Sequence, residues 1–123
     1  MSLEKLVQLG WYKAEPSSAK EIADLFSIVD RSQADLAVKG ISDDLRFHAA
    51  YNAILTLANI ALRANGFRVS LGQGHHQRVI ESLEHTLTTQ DTATREKWVR
   101  KIKSHSQKRN ATSLRSSWWC FAF

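Results

Sequence analysis

The sequence predicts an all-α protein, an up-and-down bundle of four main helices preceded by a short N-terminal helix. Proline occurs once and glycine five times in 123 residues, so long segments contain no residue that breaks a helix. One stretch after Ser42 is rich in alanine and leucine and is apolar over much of its circumference. No segment shows an alternation of apolar and polar residues that would indicate a strand. These three observations favour a helical bundle around the central stretch.

Two helices precede that stretch. Residues Leu3 to Lys13 are predicted to form the short one, which ends before a proline. Ser17 or Ser18 is the predicted N-cap of a second helix, and Glu21 has the spacing of a capping box with Ser18. This helix continues to about Val38. The side chains predicted to face the core are Ala19, Ile22, Ala23, Phe26, Val29, Ala34 and Ala37. The link that follows is short, which predicts that the second and central helices are antiparallel neighbours.

The central helix has a clear start and a clear end. Ser42 is the predicted N-cap, and Asp43 and Asp44 lie in the first turn, where the helix dipole favours negative charge. Asn65 and Gly66 supply the end, because glycine can take positive φ just past a helix. The predicted apolar row is Phe47, Ala50, Ile54, Leu57, Ala58 and Ala61, widened by Leu45, Ala49, Leu55 and Leu62. A helix this apolar is expected to be covered on several sides.

The rest of the chain is predicted to contain two helices and an aromatic ending. After a loop over residues 68–74, residues His75 to Leu87 form a shorter helix with Val79, Ile80, Leu83 and Leu87 buried. Asp91 or Thr92 caps the last helix. That helix is predicted to bury Trp98, Val99 and Ile102.

Two asparagines on the central helix, Asn52 and Asn59, are seven residues apart and therefore share one face. Buried amides need hydrogen-bond partners. A hydrogen bond to a neighbouring helix is the favoured prediction, and a polar groove formed with Tyr51 is the alternative.

Composition indicates one soluble, cytoplasmic domain over residues 1–113. Hydrophobic residues make up 43% of the chain and charged residues 24%, which is ordinary for a globular protein. Cys120 is the only cysteine, so an internal disulfide and a cysteine-based zinc site are excluded. The N-terminus has no apolar signal segment, and no stretch is long enough to span a membrane. Neither a metal nor a cofactor is expected.

Positive charge is concentrated late in the chain. Residues 95–115 contain eight basic residues and one acidic residue, whereas the remainder contains nine basic and eleven acidic residues. The basic residues of the last helix are Arg95, Lys97, Arg100, Lys101, Lys103, Lys108 and Arg109. This asymmetry indicates a polyanion or an acidic partner. The alternative is a solvated helix that keeps the protein soluble.

Three stretches together resemble a HEPN domain of the small bacterial stand-alone kind. They are FHAAYNAILTLANIALRANGFRV, GQGHHQRVIESLEHTL and the basic KRNATS, and the resemblance covers roughly residues 17–113. It implies a bundle of four or five helices, commonly a homodimer, in a toxin–antitoxin or phage-defence setting. In active members the final helices of two subunits build a metal-independent endoribonuclease site.

The resemblance also implies which residues are catalytic. The family's pattern is an arginine followed by a polar residue, with a histidine four to six residues after the arginine. Arg109 and Asn110 match its first part, but Leu114 and Arg115 stand where the histidine is expected. Arg100 and His105 match the spacing alone. The histidine would act as general base on a ribose 2′-OH or as acid, and the arginine would stabilise charge on the phosphate. We therefore expect weak or lost ribonuclease activity.

Two functions follow as expectations. The first is an RNA-directed HEPN-like protein that dimerises through its final helices, with Arg109 and Asn110 at the shared cleft. Its predicted RNA-binding residues are Arg95, Lys97, Lys101, Lys103 and Lys108. The second is a non-catalytic interaction module that binds a nucleotidyltransferase-type partner, such as an antitoxin, or a nucleotide.

Residues 114–123 do not fit the bundle, because two tryptophans, two phenylalanines and a cysteine occupy five of the last six positions. Such a segment would expose an unusual apolar patch if it were solvated. It is therefore expected to pack across the bundle, to join a dimer interface, or to be the product of a frameshift or truncation after about Ser113.

Overall fold

The computed structural model describes residues 2–70, 74–87 and 91–112, with side chains described as far as residue 105. The elements in chain order are α1 (Leu3–Gln8), β1 (Tyr12–Ala14), α2 (Ala19–Leu36), α3 (Asp43–Ala64), β2 (Phe67–Val69), α4 (His75–Glu81), α5 (Leu83–Thr86) and α6 (Thr92–Thr112). The predicted all-α class, with a short N-terminal helix, is confirmed. The predictions for Cys120 and for the aromatic ending concern residues outside these ranges.

Helix α3 is the central helix, as predicted. The Ser42 hydroxyl accepts a hydrogen bond from the Leu45 N–H at 3.2 Å, which caps the helix start. Gly66 ends it with φ of +86°, a conformation that glycine adopts without strain. Along its length α3 packs against α2, α4, α5, α6 and β2. Its boundaries were predictable because each depends on residues adjacent in sequence.

The predicted apolar row of α3 is only partly buried. Leu55, Ala58 and Leu62 lie in the core, but Ile54 is 39% exposed and Leu57 is 43% exposed. Leu45, which was expected to widen the row, is exposed as well. The actual core row is Tyr51, Leu55, Ala58 and Leu62, which is rotated by about 100° from the row Ala50, Ile54, Leu57 and Ala61. Because α3 is apolar on both sides, periodicity did not define its buried face.

Helix α2 begins as predicted but buries a different face. The Ser18 hydroxyl accepts a hydrogen bond from the Glu21 N–H at 3.1 Å, and the helix ends two residues before Val38. Val29 and Ser32 are its buried residues, whereas Phe26 is exposed. The predicted inward alanines, Ala19, Ala23, Ala34 and Ala37, are exposed too. The prediction relied on apolar residues, but the contact with α3 includes a polar pair.

That polar pair is a hydrogen bond across the α2–α3 hairpin. The Asn52 amide nitrogen of α3 donates to the Ser32 hydroxyl of α2 at 3.0 Å. The predicted bundle-internal hydrogen bond is therefore confirmed for Asn52. The two helices are antiparallel, because the end of α2 contacts the start of α3 and the start of α2 contacts the end of α3. The first contact is a bond from Arg46 to the Leu36 carbonyl at 2.8 Å, and the second is a bond from Arg63 to Glu21 at 2.9 Å.

A small antiparallel sheet replaces part of the predicted first helix and of the loop after α3. Helix α1 ends at Gln8 rather than Lys13, and Gly10, at φ +82°, turns the chain into β1. Tyr12 of β1 lies opposite Val69 of β2. Burial raises the pKa of Tyr12 to about 12, and its hydroxyl donates to the Arg78 carbonyl at 2.7 Å. This pairing joins segments far apart in the chain, so no local pattern predicted it.

The predicted helix from His75 to Leu87 is two helices. Ser82 separates α4 from α5, and its buried hydroxyl donates to the Val79 carbonyl at 2.6 Å. The buried row is confirmed for Val79, Ile80 and Leu83, while Leu87 packs against the core from a half-buried position. Within the described residues, no helix is long and apolar enough to cross a membrane.

Arg63 joins the end of α3 to three other segments. Its side chain is buried, with the residue 5% exposed. Its five N–H groups donate to both Glu21 carboxylate oxygens at 2.9 Å and to the carbonyl oxygens of Glu15 at 3.0 Å, Phe67 at 3.2 Å and Pro16 at 3.3 Å. This guanidinium therefore fixes the start of α2, the link before it and β2 against α3.

Candidate nucleic-acid interface

Helix α6 carries most of the predicted site, and its start is fixed by Asp91. The Asp91 carboxylate accepts a hydrogen bond from the Thr94 N–H at 2.6 Å, and its carbonyl accepts from the Arg95 N–H at 3.0 Å. Of the two predicted caps, Asp91 is the one observed. The hydrogen bond from Thr94 lowers the pKa of Asp91, so the carboxylate stays charged at the positive end of the helix dipole.

Fewer residues of α6 face the core than predicted. Val99 is fully buried in the core, and Ile102 packs against it from a half-buried position. Trp98, which was predicted to be buried with them, is 49% exposed, so that prediction is wrong. Successive residues of a helix point about 100° apart, and with Val99 at the centre of the contact its neighbour Trp98 lies at the edge.

Two of the predicted RNA-binding residues are used within the protein. The Lys103 ammonium pairs with Glu81 of α4 at 2.9 Å. The Arg95 guanidinium donates to the Leu87 carbonyl at 3.2 Å and to the Thr92 hydroxyl at 3.1 Å. Both side chains are half-buried and attach α6 to the elements before it.

Three other basic residues form what we call the cationic stripe: Lys97, Arg100 and Lys101. All three are exposed, and their spacing places them on one face of α6. Among the residues that the structure describes, none of their charged groups forms a salt bridge. The Lys101 ammonium lies 5.5 Å from the centre of the Trp98 ring. The stripe thus presents three charges and an indole to solvent.

The second proposed catalytic pair, Arg100 and His105, is not brought together on one face. The two residues are five apart on α6 and therefore point about 140° from each other. Arg100 is exposed, whereas His105 is half-buried with its ring centre 5.8 Å from that of Phe47 on α3. Within one copy of the chain, the two side chains therefore do not face a common site.

The first proposed pair, Arg109 and Asn110, belongs to the last turns of α6 together with Lys108. The structure describes the helical backbone there, and the three side chains lie outside the described part. Their predicted roles stay predictions.

A cavity of about 180 Å³ beside Arg63 is the alternative place for a nucleotide. Its polar lining is Glu15, Glu21, Asn59, Arg63, Arg68 and His75. Arg63 is bound to Glu21, and the Arg68 guanidinium lies 3.5 Å from the Glu15 carboxylate. Burial and the charge of Arg68 lower the pKa of His75 below its ordinary value of 6.5, so its imidazole is neutral at pH 7. A phosphate would meet two carboxylates there, so the cationic stripe is the better anion site.

The part of the chain that the structure describes contains no candidate metal site. No group of three or more histidine, cysteine, aspartate or glutamate side chains is placed there to hold a metal ion.

Comparison with known proteins adds no relative to this description. No protein-family model matches the chain, and neither the curated proteins nor the solved structures contain a match.

Sequence reasoning missed the exposure of Trp98. A signal for it exists, because Lys101 lies three residues after Trp98 and therefore shares its side of the helix. Apolar character alone assigned Trp98 to the core, and its charged neighbours indicate a position at the edge.

Proposed function

We propose that this chain is an RNA-binding helical domain that uses the cationic stripe to hold phosphates. The observation that carries the proposal is that Lys97, Arg100 and Lys101 are exposed on one face and free of salt bridges with the described residues. Three like charges on one exposed face create a positive potential that attracts anions. Phosphate contacts of this kind supply most of the affinity of non-specific nucleic-acid binding.

Salt dependence of RNA binding tests this proposal. The affinity of the wild-type chain for a short RNA should fall with salt, because each phosphate contact releases bound counterions. A variant with Lys97→Gln, Arg100→Gln and Lys101→Gln should bind more weakly. Its plot of log affinity against log salt should be less steep by about 2, since each single-strand phosphate contributes about 0.7.

The matched control carries Lys13→Gln, Arg31→Gln and Lys39→Gln. These residues are exposed elsewhere on the molecule, so the control loses the same charge without touching α6. It should keep nearly the wild-type slope. Equal slopes for the two triple variants would mean that net charge, rather than the cationic stripe, attracts RNA.

The HEPN-like setting is part of the same proposal. Its support is the resemblance of the central and final helices to that family, which implies a toxin–antitoxin or phage-defence role and a homodimer joined by its final helices. The missing histidine after Arg109 supports weak or lost ribonuclease activity. Sedimentation should give the mass of a dimer. Incubation with RNA and a chelator should give no more cleavage than the Arg109→Ala and His105→Ala variants give, and cleavage that disappears in either variant would identify a working site.

A second candidate is a non-catalytic module that binds a nucleotidyltransferase-type partner through the same face. The absence of a histidine four to six residues after Arg109 favours it over an active nuclease. The cationic stripe would then contact an acidic protein surface. Absence of RNA binding at low salt, together with a nucleotidyltransferase gene beside this one, would favour this candidate.

A further inference from the structure

Trp98 lies at the edge of the contact between α6 and the core, where about half of its surface meets solvent. Trp98 has a larger apolar surface than its neighbour Val99, and burial of apolar surface is the main favourable term in folding. Yet Val99 is fully buried and Trp98 is 49% exposed. The indole lies at the border of the cationic stripe, since the Lys101 ammonium is 5.5 Å from its ring centre and Lys97 precedes it in sequence.

The Trp98 ring and the Lys101 ammonium offer two kinds of contact at once. The ammonium lies over the ring, which is otherwise partly exposed. A base can stack on the part of the ring that the ammonium leaves uncovered, and Lys101 can contact a flanking phosphate. Lys97 and Lys101 are one turn apart, about 6 Å along the helix axis, with the indole between them in sequence. A phosphate next to a base stacked on the indole would lie near Lys101, whose ammonium is 5.5 Å from the ring centre.

The other exposed tryptophan in the described residues, Trp11, also lies near a cation but is outside the basic helix. The Arg78 guanidinium lies 5.1 Å from the centre of the Trp11 ring, and Trp11 belongs to the segment before β1 rather than to the basic helix. Trp11 is therefore a natural control for effects of tryptophan exposure that do not depend on the cationic stripe.

We infer that Trp98 makes the cationic stripe selective for single-stranded RNA, with one unpaired base stacked on the indole. This inference rests on the proposed RNA binding. In an RNA duplex the bases stack on one another, and the deep, narrow major groove does not admit side chains. Only an unpaired base can offer its face to Trp98, so the stacking contribution is available to single strands alone.

The test compares three RNA ligands of one length at fixed salt: a 12-nucleotide single strand without self-complementarity, its duplex, and an abasic strand with the same phosphates. The wild-type chain should bind the single strand about tenfold more tightly than the abasic strand, within the range that base stacking contributes. Trp98→Leu should lose that advantage and keep its affinity for the abasic strand and the duplex. Trp98→Phe should retain most of the advantage, and Trp11→Leu should behave like the wild type.

The possible results distinguish a failure of the stacking inference from a failure of the proposed RNA binding. If no RNA binds even at low salt, both fail. If Trp98→Leu binds all three ligands as the wild type does, RNA binding stands and stacking is wrong. If Trp98→Leu instead changes the sedimentation of the free protein and leaves the ligand preferences unchanged, the indole belongs to a contact between two copies of the chain, and the inference is overturned.

Discussion

Arg63 and the cationic stripe contain the same kind of charge in opposite surroundings. Every N–H group of the Arg63 guanidinium is bound within the protein, to one carboxylate and three carbonyl groups. Lys97, Arg100 and Lys101 are exposed, and none of them forms a salt bridge with the residues that the structure describes. The first region holds the fold together, and the second is available to a partner.

The difference shows that charge is informative only together with its partners. Burying a cation is unfavourable unless its donors are satisfied, so a buried arginine implies the ring of acceptors that Arg63 has. An exposed cation keeps its hydration and contributes little to stability. Freedom from internal partners, rather than the number of basic residues, therefore distinguishes a candidate binding surface from a structural one.

Removal of a guanidinium should lower the free energy of unfolding strongly at Arg63 and hardly at all in the cationic stripe. Arg63→Ala should lower the free energy of unfolding by about 3 kcal/mol, the lower end for a broken buried ion pair, because Glu21 is partly exposed. Arg63→Lys keeps the charge but loses the two-pronged contact, so it should fall between the wild type and Arg63→Ala. Urea denaturation followed by circular dichroism measures both.

The control for this prediction is Arg100→Ala, which should stay within about 0.5 kcal/mol of the wild type, as exposed substitutions do. An equal loss of stability for Arg63→Ala and Arg100→Ala would contradict the assignment of one residue to the fold and the other to a partner.

Protonation of Glu21 at low pH should lower the free energy of unfolding by less than Arg63→Ala does. The hydrogen bond from Arg63 lowers the pKa of Glu21 below its ordinary value of 4.5. A carboxylate whose folded pKa is depressed stabilises the fold above its unfolded pKa, and this contribution is lost as pH falls through the folded pKa. The stability difference between the wild type and Glu21→Gln should thus be constant above about pH 5 and shrink below pH 4.5.

Denaturation of both proteins at several pH values measures this difference. A gap that stays unchanged down to pH 3 would mean that the pair contributes nothing as an ion pair. A gap that widens as pH falls would have the wrong sign for the hydrogen bonds described.

Local features of the fold were predictable, and features that join distant segments were not. Ser18, Ser42 and Gly66 mark helix ends by interactions within a few residues, so their roles follow from the sequence. The pairing of Tyr12 with Val69 depends on tertiary contact, and so do the bonds of Arg63. The buried face of α3 was ambiguous because apolar residues cover two of its sides.

The candidate site, too, was predictable in part from the sequence. The sequence located the positive charge on the last helix, and α6 carries it. It did not separate Lys103, which pairs with Glu81, from Lys97 and Lys101, which lack such a partner among the described residues. Trp98 was assigned to the core because hydrophobicity does not tell which of two adjacent apolar residues a helix buries. That choice depends on the rotation of α6 in the bundle.

Lysine footprinting tests the central claim most directly. The chain is acetylated with and without a single-stranded RNA at low salt, and the extent of modification at each lysine is read by mass spectrometry. RNA should protect Lys97 and Lys101 and leave the exposed Lys13, Lys20 and Lys39 unchanged. Equal protection of all five lysines, or protection of the last three alone, would contradict the assignment of RNA binding to the cationic stripe.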